Sequence, residues 1–216
     1  MAQTVTTLPA RPAWRGMLHA WAFVAAVPAG ILLVVFSERA AARVAAAIYA
    51  ATLLLVFGTS AAYHRLAHSD RARRVMQRLD HSMIYLLITG TYVPVCIVAL
   101  PRAWGISMLA VVGVLGAVGI VLKLVAFAKA QWISYALYPI MGWALVVAAP
   151  VLVDNLTTVQ LALIVAGGLA YTLGLPVLLV RRPDPWPMTF GYHEVWHVFT
   201  VLAAGLHFVA VSSMLL

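Results

Sequence analysis

The sequence predicts an all-α polytopic membrane protein: a bundle of seven transmembrane helices with a cytoplasmic N-terminus and a C-terminus outside. Three observations carry that prediction. Of 216 residues, 64% are hydrophobic and only 9% are charged, whereas a soluble domain sits nearer half apolar and a quarter charged. The apolar residues gather into seven runs, each close to the ~20 residues a helical span requires. The Lys and Arg residues between the runs are divided unequally, eleven on the N-terminal side of the bundle and three on the other. Basic residues stay on the cytoplasmic side, which sets the direction.

The runs fall at 17–36, 44–63, 82–100, 103–126, 132–153, 159–180 and 193–216. The first has a basic lead, Arg11 and Arg15. Its apolar stretch exceeds the ~7–15 residues of a signal-peptide core, so it reads as a retained span. The breaks are charged or rich in proline: "SERAAAR", "HRLAHSDRARRVMQRLD", "PR", "KAQ", "DN" and "RRPDPWP". None can house a second domain, and no internal repeat is visible. The expected organisation is a cytoplasmic tail over 1–16 and one membrane domain over 17–216. Cys96 is the only cysteine, which excludes a disulfide framework and a cysteine-based metal site. The net charge of +8 resides in short loops between spans. That placement suits anionic lipid headgroups as the partner rather than nucleic acid.

The polar residues that remain are few and share a depth. His64 ends the second run, Asp80 precedes the third, and His193 and His197 open the seventh, all on the expected cytoplasmic side. His193 and His197 are four residues apart and lie on one helix face, as do Ser60 and His64. Three neutral imidazoles with one position left open form the ligand set of a catalytic zinc site, and a nearby carboxylate can orient a water there or take its proton. A lone interfacial histidine is as readily a snorkelling or hydrogen-bonded side chain. It is the spacing of the pair and the shared depth of His64 and Asp80 that favour the ligand reading. His19 is a weaker supporting candidate near the start of the first span. His68 lies in the basic loop, His81 points ~100° from Asp80, and His207 is ~15 Å along the helix from His197.

The stretch from His193 to His197 also reads H-E-x-x-H, the zinc metalloprotease pattern. An intramembrane protease of that kind needs a further acidic ligand beyond the motif, and nothing acidic follows His197. In place of a catalytic role, Glu194 can pair with Arg65, Arg181 or Arg182 at neighbouring helix ends.

Four segments carry a wider resemblance: "RGMLHAWAF", "GTSAAYHRL", "RLDHSMIYLLITGTYVPVC" and "FGYHEVWHVFTVLAAGLHF". They resemble the hemolysin III family, which belongs with the progestin and adipoQ receptors, adiponectin receptors included, in a grouping that also holds the alkaline ceramidases. The resemblance implies a seven-helix fold with a zinc ion near the cytoplasmic face. It implies that His64, His193 and His197 bind the metal, and that Asp80 and Ser60 sit around a zinc-bound water. The long N-terminal domain of the animal receptors has no counterpart here, which favours the compact bacterial type in a plasma membrane.

The expected function is a zinc-dependent hydrolase of a membrane lipid, acting by analogy at the amide bond of a ceramide-like substrate. Two other classes fit the same composition: a pore-forming, cytolytic protein, and a membrane sensor whose zinc is structural. A pore calls for a polar stripe through the bilayer, whereas the polar groups here cluster at one end.

Overall fold

The computed structural model describes residues 11–216; of the tail expected over 1–16, residues 1–10 lie outside the described residues. Seven helices are long and apolar enough to cross a membrane: α1 (Met17–Phe36), α2 (Ala40–Leu66), α3 (Asp70–Ala99), α4 (Arg102–Val125), α5 (Gln131–Asn155), α6 (Thr158–Val180) and α7 (Tyr192–Leu215). The chain is a multi-pass integral membrane protein. α2 and α3 are the central pair, with half of their most apolar stretch buried inside the bundle, against 17% for α1. The remaining apolar surface, Val24, Val114, Val153 and Leu173 among it, faces outward, as a bilayer requires.

Two apolar clusters hold the bundle. Leu33 of α1 packs with Ala45, Tyr49 and Leu53 of α2 and with Val211 of α7. On the other side of α3, Tyr85 and Tyr92 pack with Val112 of α4 and Tyr138 and Met141 of α5. Two buried tyrosines of α3 place their hydroxyl on a backbone carbonyl: Tyr85 on Ser134 at 2.7 Å and Tyr92 on Met141 at 2.6 Å. Both fasten α3 to α5, because an unpaired hydroxyl would cost free energy in a dry core.

The helices match the expected runs with one substantial difference. Residues 70–81, expected as part of a basic loop, form the first three turns of α3. Ser69 caps that helix by accepting from the Ala72 amide at 3.2 Å, and Asp70 sits in its first turn, where a negative charge suits the helix dipole. Hydropathy ends a span at the membrane boundary; a capped amphipathic helix continues into water past that boundary. α3 ends in a single π-helical turn, Val95–Ala99, directly after Pro94. Proline removes a backbone donor, which disrupts the regular ladder at that point. α5 is interrupted by a 3₁₀ stretch at Ala144–Ala148 before Pro150.

The basic residues do more than set topology. Arg78 donates to the Leu124 carbonyl at the end of α4 at 2.6 Å, and Arg43 to the Ser37 carbonyl at 3.1 Å. These cap carbonyls that the helix ends would otherwise leave open. Lys123 is fully buried, its ammonium 4.6 Å from the Tyr135 ring centre and 5.0 Å from that of Phe127. It is held by ring faces rather than by a headgroup.

Candidate metal centre

The last turn of α2 and the first two turns of α7 meet at one end of the bundle. The meeting brings His64, His193 and His197 together. Their ring nitrogens include one from each residue that all lie within 4.8 Å of one another. Nε2 of His193 and Nε2 of His64 are 3.1 Å apart. The ring centres of His193 and His197 are 4.5 Å apart, as residues one helical turn apart should be. Thus three histidines separated by up to 133 positions in the chain form one cluster.

The chemistry of this set fits a metal ion. Two neutral imidazole nitrogens facing each other can share only one proton, whereas a cation uses both lone pairs. Tetrahedral ligands at ~2.0–2.1 Å from a zinc ion lie about 3.3 Å from each other, close to the separation of the His64 and His193 nitrogens. His197 Nδ1 is buried and has no hydrogen-bond partner among the described residues. Among the described residues, no carboxylate belongs to the cluster.

Ser60 and Asp80 lie on α2 and α3 outside the three-histidine group. Ser60 is buried one turn below His64 on α2, and its hydroxyl is within reach of the Asp80 carboxyl on α3. Asp80 is largely buried, with 14% of its side chain exposed, and Oδ2 lies 3.8 Å from His81 Nδ1. That nitrogen instead donates to the Gln77 carbonyl at 2.9 Å. Asp80 is therefore not held by a strong ion pair. His68 is exposed in the α2–α3 turn, and His207 lies deep in α7 bonded to the Ile164 carbonyl.

Glu194 departs from expectation. It does not pair with Arg65, Arg181 or Arg182. Its Oε1 accepts from Arg15 Nε at 2.5 Å, and its Oε2 accepts from the Gly191 amide at 2.9 Å. The carboxylate is wholly buried and works as a helix start for α7 and an anchor for the N-terminal segment. That segment, residues 11–16, forms a strap over the cluster. The Ala13 and Trp14 amides donate to the Met188 and Thr189 carbonyls, each at 3.1 Å. Arg11 donates to the Tyr63, His64 and Ala67 carbonyls at the end of α2. Gly16 follows with a φ of 80°, in the left-handed region that favours glycine. A side chain on it would collide with the His64 Cβ, so α1 can begin this close to the cluster only at a glycine.

His19 has a larger part than its place near the start of α1 suggests. Its ring stacks on His197, with centres 3.8 Å apart and planes 13° apart. Its Nε2 lies 2.9 Å from Thr200 Oγ1, and that hydroxyl donates to the His197 carbonyl at 2.9 Å. The ring thus braces the His197 imidazole face-on. Arg15 and Arg11 were legible only as charge before the first span; their role depends on which loop folds over them.

A seven-helix membrane protein with a largely buried three-histidine cluster at one bundle end is the class that the geometry defines. The family model for haemolysin-III related proteins matches residues 9–208, and the chain belongs to that family. It is 31% identical to "Hemolysin-3" of Bacillus cereus over 196 residues, covering 89% of this chain and 86% of that protein. It is 26% identical to "Monocyte to macrophage differentiation factor" of Homo sapiens over 199 residues, covering 89% and 79% respectively. It is 27% identical to "Adiponectin receptor protein" of Drosophila melanogaster over 190 residues, 74% of this chain and 40% of that longer protein.

Proposed function

We propose that the chain is a zinc-dependent hydrolase of a membrane lipid, acting on the amide bond of a ceramide-like substrate. The observation that supports it best is the cluster of His64, His193 and His197 at one end of a bundle that also holds an apolar cleft. Ile84, one turn beyond Asp80, and Trp196, next to His197, line the near end of a cavity between α3, α5, α6 and α7. A second cavity of about 280 Å³ continues from it to Leu152 and Val211 in the far half of the bundle. A lipid can lay its chain in such a cleft and leave its polar group at the cluster.

His64, His193 and His197 would hold the zinc ion, which when bound polarises a carbonyl and makes water more acidic. The rest belongs to the chain. Asp80 takes a proton from the attacking water and returns it to the departing amine, a role suited to a carboxylate without a cationic partner. Ser60 orients Asp80. The strap over residues 11–16 limits entry of bulk water from the polar side, so the substrate arrives from the bilayer.

The lytic reading finds support in the name of the Bacillus cereus relative, Hemolysin-3. The cavities weigh against it for this chain: their lining is overwhelmingly apolar, from Ile84 to Val211, where an aqueous pore calls for polar groups along its length. In a strain carrying the gene, deletion and the His193→Ala variant should cause the same lipid class to accumulate. An unchanged lipid profile in both would overturn the hydrolase reading.

The reading also places the cluster at the inner face of a bacterial plasma membrane, from the eleven-to-three division of basic residues. A reporter fused at Leu216 should be active only outside the cytoplasm, and one inserted at Ser69 only within it. The reverse pattern would move the site to the outer leaflet.

A further inference from the structure

The two cavities meet in mid-bundle, where both are lined by Thr91, Tyr92, Gly142, Trp143, Gly168 and His207. An apolar chain needs no hydrogen bond there, yet an imidazole stands at the junction. His207 is ten residues beyond His197, or ~15 Å deeper along α7. Intramembrane histidines are costly and usually face a partner or a cavity.

The ring is fixed. Nε2 lies 3.1 Å from the Ile164 carbonyl; a carbonyl only accepts, so Nε2 carries the proton. The Nε2–Cδ2 edge lies against Gly167 of α6, where any side chain would collide with it. Nδ1 is on the opposite side of the ring, and in a neutral imidazole it is then a bare acceptor. It has no hydrogen-bond partner among the described residues.

The side-chain donors that line both cavities are already committed. Thr91 donates to the Leu87 carbonyl at 2.8 Å, Tyr92 to that of Met141 at 2.6 Å, and Trp143 to Thr172 Oγ1 at 2.9 Å. Among the side chains that line both cavities, the junction therefore offers acceptor capacity and no free donor. A plain hydrocarbon chain leaves that acceptor unused, and a ketone or ether finds nothing to accept from. A hydroxyl supplies the missing donor.

We propose that the cleft selects an acyl chain bearing a mid-chain hydroxyl, which donates to His207 Nδ1. The proposal rests on the reading of the cleft as the lipid site, and names the substrate feature that the site recognises beyond its polar head. A hydroxyl near the carboxyl end is at the wrong depth and gains nothing from His207.

The test is equilibrium binding of radiolabelled stearic, 2-hydroxystearic and 12-hydroxystearic acids to the purified full chain in detergent. One recovered hydrogen bond corresponds to about a two- to tenfold gain in affinity. The 12-hydroxy acid should bind tighter by that factor, and the other two alike. In His207→Phe, which keeps a ring over Gly167, all three should bind alike. Equal binding of the three acids to the unaltered chain overturns the hydroxyl proposal and leaves the cleft as a lipid site. Retention of the preference in His207→Phe also overturns it. Absence of binding by all three overturns the cleft reading together with the proposal. The three-acid comparison on the unaltered chain decides the matter even if His207→Phe fails to fold.

Discussion

The unaltered chain, purified, should carry about one zinc ion per chain, and His64→Ala should carry almost none. The expectation follows from the cross-helix geometry. His193 and His197 come from one helix, and α2 supplies the remaining ligand, with its Nε2 3.1 Å from that of His193. Removing it leaves two imidazoles, and a zinc site built from protein normally holds at least three ligands. Among the described residues, no carboxylate belongs to the cluster to take the vacated place. His19 stacks face-on against His197 and is bonded to Thr200, so it is poorly placed to substitute. Metal analysis of protein purified in detergent measures the loss directly. His81→Ala is the control: that ring bonds the Gln77 carbonyl outside the cluster, and the zinc content should stay unchanged. Full retention in His64→Ala would mean that α7 works with other ligands.

The seven spans were legible because a bilayer imposes a simple rule on composition, and the helices keep to it. The cluster was legible for a related reason: polar residues are so few that a shared depth singled out His64, His193 and His197. Two kinds of feature were not legible. The extra turns of α3 before residue 82 are polar, so hydropathy carries no signal there and the Ser69 cap decides. The partner of Glu194 depends on which segment folds over the cluster. Arg65, Arg181 and Arg182 are near in sequence or topology, but the strap places Arg15 against the carboxylate. Sequence spacing specifies which residues share a helix face; it does not specify which loop or tail covers that face.

That burial changes what is expected of the two carboxylates. Asp80→Asn should keep the fold and most of the zinc while turnover falls about 10²–10⁴-fold, the usual value of general acid–base assistance. Its carboxyl lies outside the cluster and close to Ser60, and the amide fills the same space. Glu194→Gln should behave in the opposite way. Were Glu194 exposed, losing its pair would be tolerated, because an exposed ion pair contributes only ~0–1 kcal/mol. It is instead wholly buried, and it holds both Arg15 and the first amide of α7. The glutamine keeps the bond to Gly191 but forfeits the charge facing Arg15. A hydrogen bond to a charged group is worth about 1.5–3 kcal/mol, and that much stability should be lost. Turnover per folded, metal-loaded molecule should fall by less than about tenfold, since Glu194 works through the strap rather than on the proton. Two measurements separate the variants: a melting curve in detergent, and hydrolysis of the lipid that accumulates in the deletion strain. Asp80→Asn should melt normally and be nearly inactive, whereas Glu194→Gln should melt early and remain active below its transition. If Glu194→Gln is stable and inactive while Asp80→Asn turns over normally, Glu194 is the base, and the H-E-x-x-H mechanism replaces the one proposed for Asp80.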